Sequence, residues 1–413
     1  MPEWTLYGQK LDLEEFKKNH PGGELALLLG EERDCTRLFE QYHCRNASNQ
    51  TVLKQLAKEQ GKEIDPTIKD PFQQEVLQMA YDYKGGYTAS KPKQVFLACV
   101  GILLTITIIG WVLGSWSACL LLPVLAWLLM VNASHDAAHF AFSDTPWINK
   151  TLSLLSAPLF FNTSVWYLQH NVSHHIHTNE IDKDIDLYHG APVVRSHDEV
   201  PWVSSNALQP ILVPFVHLFI ATFSQIFIYP FAVLWKHPRL TKMVGMYDAF
   251  LKHSTPNIIL QLSISIIFAI TPFLLFKWPK ALAFFLIPYA ISSILFMLVT
   301  QVSHLQEETQ PKTVSENWMR QMVETSMDYS QDSAFWCLMT GGLNMQSIHH
   351  CVPAIDSSQL IELYPKFRAI CQKHGVNINE VPTFWDAIKK YWLHIHNLSK
   401  EPPTKGEGCP VAH

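Results

Sequence analysis

Charge is dense through the first 93 positions, and then the 41 residues of 94–134 contain no Asp, Glu, Lys or Arg. As helix that run reaches about 62 Å against a hydrocarbon core of about 30 Å, so the pattern predicts two membrane crossings, with the turn at Gly114 and Ser115. Two more uncharged runs, 254–276 and 281–303, each fit one crossing and are joined by Lys277-Trp278-Pro279-Lys280, a second hairpin. The segment 201–235 is also uncharged but is interrupted by Pro210, Pro214 and Pro230. It would reach about 52 Å, short of two crossings, and a single crossing would put everything after Ser303 on the opposite face from the residues after Asn132. Interfacial or dipping helices are therefore expected there, leaving four true spans. The positive-inside signal is weak, because Lys277 and Lys280 fall in a loop this arrangement places on the lumenal side.

Residues 1–60 read differently. A short strand is expected near 4–7 and charged helices near 13–18 and 24–29, which together make a small α+β unit. A linker over 61–93 follows, broken at Asp65-Pro66 and Asp70-Pro71 and carrying an amphipathic helix at 71–84 that approaches the membrane. No basic n-region followed by an apolar stretch opens the chain, so the N-terminus is expected to be cytosolic and uncleaved. Overall hydrophobic content is 48%, ordinary for a soluble protein, so the distribution and not the mean reveals the membrane part. A net charge of -5 offers no basic field for a nucleic-acid partner. Eight scattered Cys without a CxxC point to neither an iron–sulfur cluster nor a zinc ribbon.

Histidine changes the picture. Among 20 His, seven fall in three clusters: His135-Asp136-Ala137-Ala138-His139, His170-Asn171-Val172-Ser173-His174-His175, and Gln346-Ser347-Ile348-His349-His350. Residues four apart share one helix face, so each cluster can aim two rings together. Any one of these is as well explained by solvated or hydrogen-bonded interfacial histidine. Seven imidazoles at one membrane face exceed what a single metal takes, since zinc sites use three or four protein ligands, and two metals are the economical reading. Imidazole suits zinc, copper, nickel and iron alike.

The N-terminal unit narrows that choice. It contains His20-Pro21-Gly22-Gly23, with His43 following 23 residues after His20. Two such histidines can fill both axial positions of a heme iron, leaving no open site and making an electron carrier. The glycine pair lets the chain turn close to the porphyrin edge. A one-electron carrier fused to a histidine-rich site calls for a redox metal there, which zinc is not.

Residues 4–44, through Phe16, His20 to Gly23 and His43, resemble cytochrome b5, and the three clusters HDAAH, HNVSHH and QSIHH resemble the histidine boxes of membrane fatty-acid desaturases. Gln346 in place of a first His, together with the N-terminal heme motif, resembles the front-end subgroup of that family, and Gly341 to Asn344 before the third box and Tyr364-Pro365 after it add to the match, which covers most of the chain. The resemblance implies a mainly α fold: a four-span helical domain over 94–413 with a cytosolic histidine-rich di-metal cap, behind a small α+β cytochrome b5-like domain over 1–60. It implies two non-heme irons and heme b as cofactors, with His20 and His43 as heme ligands and His135, His139, His170, His174, His175, His349, His350 and Gln346 at the irons. His304 directly follows an uncharged run, as His135 does, and the family places a ligand histidine there, so His304 joins the set. Asp182, Asp184 and Asp186 are candidates to orient ligating rings, and a solvated acidic loop is an equal reading. His177, His217, His237, His253, His374, His394 and His396 are left outside the site.

The implied partners are a fatty acyl-CoA or phospholipid-linked chain, dioxygen, an NADH-linked cytochrome b5 reductase and the lipid bilayer, at the endoplasmic reticulum with termini and site facing the cytosol. The implied reaction inserts a cis double bond between an existing one and the carboxyl end. A sphingoid-base desaturase, or a hydroxylase or acetylenase with the same boxes, is the neighbouring enzyme reading. A metal transporter would place ionisable residues inside the spans, and the four spans contain no Asp, Glu, Lys or Arg.

Overall fold

The structure, a computed structural model, describes residues 3–188, 194–237, 248–310 and 315–401, and for 216–221 the backbone alone, so the side chain of His217 lies outside the described residues. β1 (Trp4–Leu6) pairs antiparallel with β2 (Gln9–Leu11), Trp4 opposite Leu11. Tyr7 and Gly8 between them take φ of 50° and 77°, as a two-residue turn of the I′ kind requires. Against the hairpin stand α1 (Glu14–Lys17), α2 (Glu24–Leu28), α3 (Thr36–Tyr42) and α4 (Ser48–Glu59). Trp4, Leu6, Leu11, Leu13, Leu53 and Ala57 close a small core of their own. α3 and α4 go beyond what the sequence pattern predicts.

The Asp70 side chain caps α5 (Pro71–Tyr81) by accepting from the Phe72 and Gln73 amides, with Pro71 leading the helix. Phe72, Val76, Leu77 and Ala80 are buried with Met319, Met322, Leu363 and Phe367. The apolar face expected to approach the membrane is thus taken by protein.

α6 (Lys91–Val112) and α7 (Trp116–Leu129, continuing as helix to Ala138) form one hairpin, and α8 (Asp248–Leu275) and α9 (Trp278–Gln301) the other. Among the described residues these four are long and apolar enough to cross a membrane, matching the expected spans. Ile102, Leu103, Ile106 and Ile109 on α6 and Ile267 and Leu274 on α8 lie exposed, an apolar surface suited to lipid. Trp278, Pro279 and Lys280, expected as a connector, already form the first turn of α9, where proline's missing N–H removes no bond. Between the hairpins, Gln209–Phe223 runs through a π turn at Ser224–Ile228 into Tyr229–Leu234 and packs along α9.

The polar remainder forms a cap. α10 (Gln346–Cys351) and α11 (Ser357–Lys373) carry its centre, and α12 (Phe384–Leu398) closes one side. β3 (Met327–Tyr329) pairs in parallel with β4 (Asn379–Val381).

Candidate metal centre and the cavity beside it

Helical irregularity aims the histidines. α7 does not end where its apolar run ends: a π turn over Met130–Ser134 feeds directly into His135–Ala138, and the His139 amide bonds back to the His135 carbonyl. The second cluster lies on a π-helical stretch, Tyr167–His174, between Thr163–Trp166 and His175–His177. An i→i+5 ladder sets residue i+5 one turn above residue i, where an α-helix would turn it aside. His175, five after His170, consequently has its Nε2 3.1 Å from that of His170. The third cluster is α10, reached through Gly341 and Gly342, both at positive φ. A Cβ on Gly341 would collide with the Val131 carbonyl, so only glycine lets this loop close on the π turn behind the first cluster.

All eight histidines converge, and all are buried. His135, His139, His170 and His349 form one group whose nitrogens lie within 4.8 Å of one another, and His174, His304 and His350 form a second. His139 and His170 approach to 3.0 Å through Nε2, and His174 and His304 to 3.3 Å. With bonds of about 2.1 Å, two nitrogens at right angles on a metal stand about 3 Å apart, so these spacings suit ligands of a shared ion. His175 stacks on His350 at 4.1 Å and borders both groups. The Gln346 amide lies 2.9 Å from His304 Nε2 and 2.8 Å from His350 Nε2, and since its nitrogen and oxygen ends are interchangeable by assignment, its oxygen can face the second group. Nε2 of His135 and of His349 and Oε1 of Gln346 are buried without a partner, as donors waiting for an ion would be.

The far nitrogens of five of these rings are tied down, whereas Nδ1 of His170 and of His175 is buried without a partner. Nδ1 of His174 lies 3.1 Å from Asp184, that of His304 3.0 Å from the Thr325 carbonyl, that of His350 3.1 Å from Thr178 Oγ1, that of His139 2.8 Å from Tyr42 Oη, and that of His135 3.2 Å from Asp136. Each contact turns Nε2 inward. Of the three acidic candidates, Asp184 reaches His174 directly and Asp186 lies 3.5 Å from it, whereas Asp182 pairs with the Tyr188 hydroxyl. His177 faces Glu180 at 3.2 Å, outside the groups. Burial holds His139, His170, His175, His349 and His350 well below the usual imidazole range and pushes His304 to about 3. Burial also opposes charge on His174, but Asp184 and Asp186 outweigh it and lift that ring to about 9. Neutral rings with free lone pairs, and one ring backed by carboxylates, are what a divalent or trivalent cation needs.

A buried ion network lies outside what the sequence pattern predicts. Lys93 Nζ sits 2.5 Å from Asp136, 2.9 Å from Asp356 and 2.8 Å from Ser357 Oγ, all buried. Lys93 is the last cation before the 41-residue uncharged run, and Asp136 stands inside the first cluster; that placement is the signal available in sequence. A narrow cavity of about 30 Å³ opens onto both groups, walled by Trp127, Met130, Val131, Phe161, Trp166, Phe296 and Leu343.

A second, larger cavity of about 530 Å³ lies between the N-terminal unit and the cap, lined by His20, His43, Phe16, Leu38, Phe39, Leu53 and Leu56 and, from the cap side, Phe140, Pro146 and Ala354. The His20 and His43 rings stand edge to face, at 73° with centres 6.0 Å apart. Their Nδ1 atoms bond to the carbonyls of Gly23 at 3.2 Å and Phe39 at 2.9 Å, which leaves both Nε2 atoms for the cavity.

Two metal-competent histidine groups thus sit at one end of a four-helix membrane unit, beside a narrow cavity with apolar walls. A sequence profile of the fatty acid desaturase family matches residues 109–382. An acyl-lipid omega-13 desaturase of Chlamydomonas reinhardtii is 34% identical over 94% of this chain and 93% of its own length. Acyl-lipid (8-3)-desaturases of Dictyostelium discoideum and Mortierella alpina are each 26% identical, over 97% and 96% of this chain and 91% and 94% of theirs. The chain belongs to the fatty acid desaturase family, and it is an oxidoreductase.

Proposed function

We propose that this chain is a front-end desaturase of lipid-linked acyl chains that holds two non-heme irons in its histidine groups and takes electrons through a heme b bound by residues 1–60. The observation that carries the reading is the His20–His43 cavity set against the eight-histidine centre. His20 and His43 would hold the heme iron between them, and their ring centres, 6.0 Å apart, leave room for one metal ion. A Cβ on Gly22 would meet the His20 ring at 2.9 Å, so the glycine leaves that ring its place. A one-electron donor favours iron over zinc in the histidine groups, with His135, His139, His170, His175 and His349 on one side and His174, His304, His350 and Gln346 on the other.

Iron held there supplies, with dioxygen and two electrons, the oxidising power to remove two hydrogens from an unactivated acyl chain. The protein's residues bind and aim. Trp127, Phe161, Trp166 and Phe296 give the narrow cavity beside both groups an apolar wall. Asp184, Asp136, Thr325 and Thr178 fix the ring orientations.

The relatives named above are acyl-lipid desaturases, which favours a lipid-linked chain over acyl-CoA. Gln346 at the head of the third cluster and the fused donor favour insertion on the carboxyl side of an existing double bond. The four spans fit a multi-pass protein, here assigned to the endoplasmic reticulum with the cap in the cytosol and an NADH-linked reductase as electron source. Expression in yeast fed with polyunsaturated fatty acids, followed by mass spectrometry of lipid-linked products, is the test. A new double bond on the carboxyl side of an existing one is expected, and it is lost in His20→Ala. Hydroxylated products, or new unsaturation only toward the methyl end, would overturn the reading.

A further inference from the structure

α3 has two metal-competent sites on its two sides. Its cap residue His43 points into the larger cavity, stacked on Phe39 at 4.3 Å. The preceding residue, Tyr42, lines the same cavity and also lies against His139, its hydroxyl oxygen 2.8 Å from Nδ1 and its ring stacked at 6.1 Å and 16°. Phe140, the next residue after His139, meets Tyr42 edge-on at 5.9 Å and lines the cavity as well. One aromatic layer therefore separates the two sites.

The same helix is anchored to the histidine groups by their backbone. Gln41 is fully buried and donates from Nε2 to the carbonyls of His175 at 2.8 Å and His350 at 3.1 Å. Arg37 donates to the Ile176 carbonyl at 3.1 Å and pairs with Glu180 at 3.3 Å. Beyond α3, Arg45 donates to the carbonyls of Phe140 and Ala354. Nothing in a tethered, freely tumbling carrier calls for an amide buried beneath two of the metal-site histidines; a fixed electrical contact does.

From this geometry we infer that Tyr42 is the positioning residue through which electrons enter the metal centre, and that they enter at the ion held by His139, His135, His170 and His349. The inference rests on the heme reading of the His20–His43 cavity. With Nε2 of His139 on its ion, the ring's proton lies on Nδ1 and is donated to the Tyr42 oxygen. Each passage oxidises one ferrous heme to ferric and reduces one ferric non-heme iron to ferrous; no bond is made or broken and the Tyr42 proton stays in place. Two passages serve each double bond, and a flavin reductase using reduced nicotinamide restores the heme. Electron tunnelling weakens steeply with every gap it must jump, so a continuous ring-to-hydroxyl-to-imidazole contact outcompetes a path through solvent.

The test uses the full chain with its heme and non-heme iron, reduced anaerobically and mixed with dioxygen and an acyl phospholipid while heme absorbance is followed. Tyr42→Phe keeps the ring but removes the hydrogen-bond acceptor. It should slow heme reoxidation about ten- to a hundredfold, the scale of losing a group that orients a metal ligand. The heme spectrum should match the parent, and because Tyr42 also holds the His139 ring, the product yield obtained when excess dithionite reduces both centres directly should fall, but by much less than the heme rate does. Heme reoxidation at the parent rate in Tyr42→Phe overturns the inference. So does a dithionite-driven yield that falls in step with the heme rate, which marks a purely structural role. A parent chain that binds no heme overturns the underlying reading instead, and so the two failures are distinct.

Discussion

His304 shows how a single residue gains a role from its surroundings. It stands outside the three clusters, yet its Nε2 lies 3.3 Å from His174 and 2.9 Å from the Gln346 amide, while its Nδ1 is held by the Thr325 carbonyl. Its position just after an apolar run, matching that of His135, makes it legible in sequence. On the proposed two-iron centre, His304→Ala should lose about one non-heme iron and all turnover, whereas His177→Ala, facing Glu180 outside the groups, should keep both, by iron analysis of purified protein. Two irons with normal turnover in His304→Ala would end the assignment. Lys93 is the converse case, a residue that sequence marks only as the last cation before the uncharged run, without showing its partners. It joins α6, Asp136 beside His135, and Asp356 at the start of α11. Lys93→Met leaves two buried carboxylates without their cation, and we expect a loss of about 3–5 kcal/mol in detergent unfolding. A change under about 1 kcal/mol would show that the network is dispensable.

At the scale of elements, the spans were legible because uncharged length is a direct physical requirement of the bilayer. The short elements were not. α3 has only seven residues, and its identity depends on the cap it docks against. The π stretch Tyr167–His174 looks like an ordinary helix in sequence, and only its ladder brings His175 beside His170. α12 buries Phe384, Ala387, Tyr391, His394 and Leu398 along one face, at helical spacing. His394 there receives the Gln310 amide at 2.8 Å, and burial pushes its pKa down to about 4. A base whose folded pKa is lowered stabilises the fold above its unfolded value, near 6.5, and that contribution is lost as pH falls toward 4. Hydrogen-exchange protection in 384–398, taken relative to the intrinsic amide rate at each pH, should therefore drop between about pH 6.5 and 4, and His394→Gln should flatten that dependence. Protection unaltered by pH in the parent would contradict this.

For the whole molecule, the convergence of His135 and His304 on the walls of one cavity fixes relative topology. α7 and α9 end at the same face, and α8, antiparallel to α9, starts from it, so the chain between Ala138 and Asp248 leaves and returns on one side. Assigning that side to the cytosol predicts that Asp198→Cys, at an exposed position, is labelled by an impermeant maleimide in sealed microsomes with the cytosolic face outward. Lys277→Cys should react only after permeabilisation, and the reverse pattern would invert the assignment. The sequence by itself determined the four spans, the three histidine clusters, the His20–His43 pair and the sense in which His304 emerges, because each is written in local spacing: uncharged length, four-residue intervals, a glycine turn. Tertiary structure alone decided the division of eight histidines into two groups, the Lys93 network, the burial of α5 and the contact of Tyr42 with His139. Those join residues up to hundreds of positions apart, and chain spacing carries no record of which buried groups must find one another to be paired.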